Sequence, residues 1–229
     1  MSEYSTRESR HAFIASRFKP YLSGTILNIG GGGEKHLLKY LNPKEYLELD
    51  IDGEPDIKVN LDLQYPLLIE DNKFDTVLCT DVLEHLENFH RVFNEILRIS
   101  KKYIIISLPN ALNIIPNYLR ELEYQPSDGS IGGEYFGLYS KFYGLPKKTP
   151  LDRHRWFFTY SEAGDFFKYH ETNKYRIIEE FAVGLGGSTI KGKCIRKLLK
   201  NFISEKKFKN LFATAYWCVL EKNGDSRLA

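Results

Sequence analysis

The chain has 229 residues, 42% of them apolar, which is enough to bury one substantial core and too apolar for a disordered or fibrous polypeptide. A net charge of +2 argues against wholesale nucleic-acid binding. Three widely separated cysteines, Cys79, Cys194 and Cys218, speak against a disulfide framework or a structural zinc site, so a reducing cytoplasm is the expected setting.

The polar start MSEYSTRESR reads as unprocessed, and no run of about 18 apolar residues offers a membrane span. Phe13, Ile14 and Phe18 then fall at helical spacing, predicting a short helix over 5–20. TILNIG at 25–30 reads as a buried strand, and EKHLLKYL at 34–41 as a helix stopped by Asn42-Pro43. Further strands are expected at 45–50, 56–61 and 74–80. A helix at 88–100 follows, with Phe89, Val92, Phe93, Ile96 and Leu97 on one face, and then an apolar strand at 102–110. Strand and helix alternate throughout this half, which predicts a parallel sheet covered on both faces, with ligands gathering beyond the carboxyl ends of its strands.

After Pro109 the pattern breaks. Residues 111–150 mix Tyr118, Tyr124, Tyr135, Phe136 and Tyr139 with Gly, Pro and Ser, and are expected to form an inserted aromatic-rich acceptor lobe or lid. A helix at 161–170 capped by Ser161 and strands at 175–183 and 212–222 complete a single domain spanning 1–229. Between those strands, 191–210 is a basic helical insertion. Ile195, Leu198, Leu199 and Phe202 are expected to pack inward, with contact to anionic lipid as the sharper alternative.

The strand at 25–30 ends in Gly30, Gly31, Gly32 and Gly33, and Asp50 closes the next strand twenty residues after Gly30. Bare backbone can pass close to a nucleotide, and a carboxylate at that place can accept both hydroxyls of a ribose. The dinucleotide fingerprint G-x-G-x-x-G fails, because Lys35 stands where its last glycine belongs.

The glycine loop and the later stretch FDTVLCTDVLEHLENFHRVFNEILRIS at 74–100 together resemble the class I S-adenosylmethionine-dependent methyltransferases, in the type 11-like group with a D-V-L-E-H-L element. The likeness covers about residues 24–110. It implies a Rossmann-like α/β fold, a doubly wound, mostly parallel seven-stranded sheet whose final strand is antiparallel, with S-adenosylmethionine as cofactor and S-adenosylhomocysteine as product. Gly30 and Gly32 would line the methionine portion, Asn28 and Gly31 would belong to the same cofactor-binding set, and Asp50 would hold the ribose. Asp62 and the amide of Leu63 would meet the adenine, with Thr80 and Asp81 near the methyl group. Asn28 replaces an acidic residue common in the family, and Glu34 replaces a third glycine.

Asp81, Glu84 and His85 at i, i+3 and i+4 would share one helical face, able to bind a substrate hydroxyl or a divalent metal; no metal is the expectation carried forward. PLDRHRWFFTYSEAGDFF at 150–167 resembles the aspartate-x-histidine loop of many such enzymes, which implies His154 as general base and Asp152 as its orienting partner. Arg153 and Arg155 flank it and, with Tyr118 and Tyr135, are expected to bind the acceptor. The expected activity is O-methylation of a small anionic acceptor, such as a phosphorylated or carboxylated sugar or cell-envelope precursor, by a monomer or homodimer. A nucleic-acid methyltransferase and a catalytically inactive binding module are the alternatives.

Overall fold

The computed structural model describes residues 4, 6–113, 153–171, 174–185 and 190–223. The first helix, α1 (Arg7–Arg17), starts where Thr6 and Ser9 cap each other reciprocally. Strands β1 (Thr25–Ile29), β2 (Glu45–Asp50), β3 (Ile57–Lys58) and β4 (Phe74–Thr80) follow. Next come α2 (Phe89–Ile99), β5 (Ser100–Pro109), α3 (Tyr160–Tyr169), β6 (Tyr175–Val183), α4 (Ile190–Leu199), α5 (Glu205–Phe212) and β7 (Ala215–Lys222).

All seven strands join one sheet in the order β3-β2-β1-β4-β5-β7-β6. Pairing is parallel from β3 through β5, and β7 runs antiparallel between β5 and β6, as the resemblance implied. Side chains alternate across the pleat, so each strand feeds two cores. Leu27, Val77, Ile104 and Ile106 face α2 and α3, whereas Ile26, Leu78, Ile105 and Trp217 face α1. On that second face Phe18 stacks on Trp217 with ring centroids 5.4 Å apart.

Several elements differ from expectation for local reasons. Residues 34–41 form only a 3-10 turn, His36–Tyr40, because Lys35 takes a left-handed φ of 50° at its entry and Asn42-Pro43 closes its exit. The strand expected at 56–61 shrinks to Ile57–Lys58, since Asn60 diverts the chain into a turn, its side chain accepting from the Asp62 amide at 2.9 Å. Thr159 and Glu162, not Ser161, cap α3. The basic insertion is two helices, because Ser204 starts a second one. Leu198 and Phe202 are thereby left 61% and 75% exposed rather than packed inward, and Phe208 takes the buried place. The side chain of Ile195 and the lobe at 114–150 lie outside the described residues. Among the described residues, no helix is long and apolar enough to cross a membrane.

Candidate active site

The four glycines are needed mainly by the chain itself. Gly33 has φ +84°, and a Cβ there would lie 2.4 Å from the carbonyl carbon of Glu54. Gly53 in turn backs onto Gly32, where a Cβ would stand 2.1 Å from the carbonyl oxygen, so the turn after β2 packs main chain against main chain. A Cβ on Gly30 would strike Val82, and one on Gly31 would lie 2.5 Å from the Glu48 carboxyl carbon. Gly32 alone looks into open space, with nothing within 4 Å of its virtual Cβ.

Beneath Gly31 lies a residue that the sequence reading missed. Glu48, 1% exposed, stands opposite Asn28 in the β1–β2 register. Its Oε1 accepts from the Tyr46 hydroxyl at 2.8 Å and the Asn28 amide at 3.3 Å, and its Oε2 accepts from the Lys35 amide at 3.1 Å. Burial, and then the bond to Glu48, pushes the Tyr46 hydroxyl far above the ordinary phenol range. The available signal was the alternation Tyr46, Glu48, Asp50 in EYLELD, which puts all three on one side of the strand.

Asp50 is braced by backbone. Its Oδ2 accepts from the Gly32 amide at 2.8 Å, and its Oδ1 accepts from Ile51 and Asp52 at 2.7 and 3.1 Å. Asp62 receives the amides of Glu87 and Asn88 at 3.2 and 3.0 Å, tying the β3–β4 connection to the start of α2. Leu63, 79% exposed, has its own amide turned back to Asn60.

Thr80 ends β4, and Asp81 follows in a left-handed conformation with φ 54°. The Ser107 hydroxyl donates to its Oδ1 at 2.6 Å, and Arg10 of α1 lies 2.8 Å from its Oδ2. Asp81 therefore turns toward α1 and does not share a face with Glu84 and His85, correcting the helical spacing expected of the three. The backbone reason is plain: a left-handed residue and then a 3-10 turn, Leu83–His85, replace a helix there.

His154 occupies the place expected of Asp81. Glu84 Oε1 lies 3.5 Å from His85 Nε2 and 4.0 Å from His154 Nε2, and the two imidazole centroids are 4.3 Å apart at 82°. Glu84 is fully buried and His154 is 6% exposed. The extended segment before α3 is pinned to this turn by its own backbone. Arg155 and Trp156 donate their amides to the Glu84 carbonyl at 2.7 and 3.2 Å, and the Trp156 indole donates to Leu86 O at 2.6 Å. The charge of Arg155 is directed at Glu87, 3.6 Å away. Behind the cluster, burial first, and then Glu84 and Asp81, push the Cys79 thiol well up. Asp152, Tyr118 and Tyr135 lie outside the described residues.

The residues present suit an adenosyl donor. The surface over Gly32 is open, Asp50 beside it retains acceptor capacity beyond its three amide bonds, and Glu48 adds a second negative charge below the loop. Residues 27–106 match a family model described as a methyltransferase domain. No curated protein matches the chain by sequence. Among solved structures, the chain is similar to the small RNA methyltransferase HEN1, with a TM-score of 0.57 and 13% identity over 96% of this chain and 25% of that one. It is also similar to an S-adenosylmethionine-dependent methyltransferase from Archaeoglobus fulgidus, with a TM-score of 0.51 and 19% identity over 95% of each chain. A Mesorhizobium loti S-adenosylmethionine-dependent methyltransferase gives a TM-score of 0.51 and 13% identity over 92% of this chain and 97% of that one. The chain spans only a quarter of the small RNA enzyme, and at these identities the structural likeness speaks for the fold.

Proposed function

We propose that this chain, which is a class I S-adenosylmethionine-dependent methyltransferase, delivers the methyl group to the hydroxyl oxygen of a small acceptor. One observation carries the reading: two imidazoles and a carboxylate converge in a buried cluster just past the carboxyl end of β4. A hydroxyl is a weak nucleophile until its proton is drawn away, and a positioned base within hydrogen-bond reach does that. A carboxylate acceptor, already ionised, would not need the cluster.

S-adenosylmethionine, when bound, supplies an electrophilic methyl carbon on a sulfonium and accepts the electrons of the broken C–S bond. Gly32 and Asp50 are the residues proposed to hold it, over the buried charge of Glu48. The Glu84, His85 and His154 cluster orients the acceptor oxygen and eases the loss of its proton, and burial keeps competing water away. Anionic character in the acceptor would be read by Arg153, which precedes His154 in the chain. Asp62 and the exposed side chain of Leu63, whose amide is committed to Asn60, are proposed to meet the adenine.

Acceptors bearing hydroxyl, carboxylate and amine groups, incubated with methyl-labelled S-adenosylmethionine, test the proposal. An alkali-stable methyl ether as the product supports it, and an alkali-labile ester or an N-methyl product overturns it. A second reading, a ribose hydroxyl of RNA as acceptor, draws on the likeness to a small RNA methyltransferase and on the exposed Lys197, Lys200, Lys206 and Lys207 in and between α4 and α5. Binding to single-stranded RNA that weakens steeply with salt would favour it.

A further inference from the structure

Glu84, His85 and His154 each present one ligand atom, and these atoms all lie within 4.8 Å of one another. A tetrahedral ion with bonds of about 2.1 Å to nitrogen and oxygen sets its ligand atoms about 3.4 Å apart. Glu84 Oε1 already stands 3.5 Å from one imidazole nitrogen and 4.0 Å from the other. A small side-chain rotation would bring the wider pair to bonding geometry. We propose that Glu84, His85 and His154 form a binding site for a divalent transition-metal ion, of the manganese, cobalt or zinc class, whose remaining positions take an oxygen of the methyl acceptor.

Three features support the site. The donor set is two imidazoles and one carboxylate, which suits transition ions better than magnesium or calcium, both of which prefer oxygen throughout. Three protein ligands leave coordination positions open, the arrangement of a catalytic rather than a structural site. The ligands are held in place without any ion, because the amides of Arg155 and Trp156 clamp the His154 segment onto the Glu84 carbonyl and the Trp156 indole fixes it to Leu86. Spacing alone concealed this set. Glu84 and His85 are sequence neighbours, His154 comes from a distant segment, and Asp81, the expected third member, is turned away toward Arg10 and Ser107.

The assignment of an acceptor oxygen to the open position rests on the hydroxyl reading above, whereas the metal site itself does not. The test therefore uses the metal alone. The full chain, stripped with chelator, is titrated with Co2+ in the absence of donor and acceptor. One equivalent should bind with visible absorption bands of low-symmetry cobalt. Glu84→Gln and His154→Ala should each weaken binding at least tenfold, and Glu87→Gln, an exposed neighbour, should leave it unchanged. Thermal melts confirm that each variant is folded. A second measurement needs no variant: Mn2+ should broaden the ring-proton resonances of His85 and His154 in the native chain and spare those of His11 and His36. Absence of binding overturns the site, as does binding that persists in Glu84→Gln and His154→Ala or broadening centred on His11 and His36. Cobalt binding with methylation of a non-hydroxyl group would overturn only the acceptor reading. Chelator-resistant hydroxyl methylation without cobalt binding would overturn only the metal site.

Discussion

Arg10 of α1 lies 2.8 Å from the carboxylate of Asp81, fastening the N-terminal helix to the residue that follows β4. The same guanidinium donates to the Ser107 hydroxyl at 3.2 Å and lies 5.8 Å from the centroid of the Trp217 ring. Replacing Arg10 by Ala removes a charged hydrogen bond and leaves Asp81 half-buried against Ser107. The expected loss is about 1–3 kcal/mol of stability. In a double-mutant cycle with Asp81→Asn, measured by urea denaturation, the two changes should be clearly non-additive.

Gly32 and Gly33 separate binding from folding. A side chain on Gly33 must displace the backbone of Glu54, so Gly33→Ala should melt well below the parent chain. Gly32→Ala carries only the left-handed penalty of about 1–2 kcal/mol. It should stay folded, yet lose binding of S-adenosylhomocysteine in calorimetry, since the new methyl occupies the open surface.

Glu48→Gln tests the buried charge. One amide oxygen can still accept from Tyr46 and Asn28, but an NH2 group would then face the Lys35 amide, donor against donor. Stability should fall by about 1–3 kcal/mol. Affinity for S-adenosylmethionine should drop more than affinity for S-adenosylhomocysteine, because only the former carries the sulfonium charge. Equal losses, read by calorimetry, would refute an electrostatic role.

These residues show what a sequence discloses. Periodicity located β4, α2, β5 and β6 to within about two residues, because long apolar faces leave little choice of partner. The D-V-L-E-H-L element and the glycine loop marked the side of the sheet where the methyl donor is proposed to bind. The side proposed for the acceptor was only half legible, since whether Asp81 or His154 joins Glu84 depends on one left-handed residue and on a segment that returns from far along the chain. Glu48 escaped notice for a related reason: strand register, and not sequence distance, puts it opposite Asn28.

Acid should weaken the fold through Glu95. Its carboxylate accepts Arg98 Nε and Nη2 at 2.9 Å each and the Leu67 amide at 2.8 Å. The Arg98 guanidinium, chiefly, holds its carboxyl below the ordinary 4.5. The unfolded chain takes up that proton at higher pH than the folded chain, so the contribution is complete above about 4.5 and fades as pH falls below it. Glu95→Gln should be less stable at neutral pH and show a shallower decline toward about pH 3, as followed by chemical denaturation.

Trp156→Phe should affect rate more than fold. The ring still packs near Phe89, but the indole hydrogen bond to Leu86 is gone and the His154 segment loosens. Turnover should fall several-fold while the melting temperature shifts by only a few degrees, about what one lost hydrogen bond costs.

The turn carrying Gly53 touches no reacting atom, yet it shores up the floor on which the methyl donor is proposed to rest. Because carbonyl and amide planes abut there without intervening side chains, that floor acquires its contour when the protein folds, and a visiting nucleoside need not mould it. The same economy makes position 53 brittle: even a single methyl group there, distant from all chemistry, would heave the platform upward.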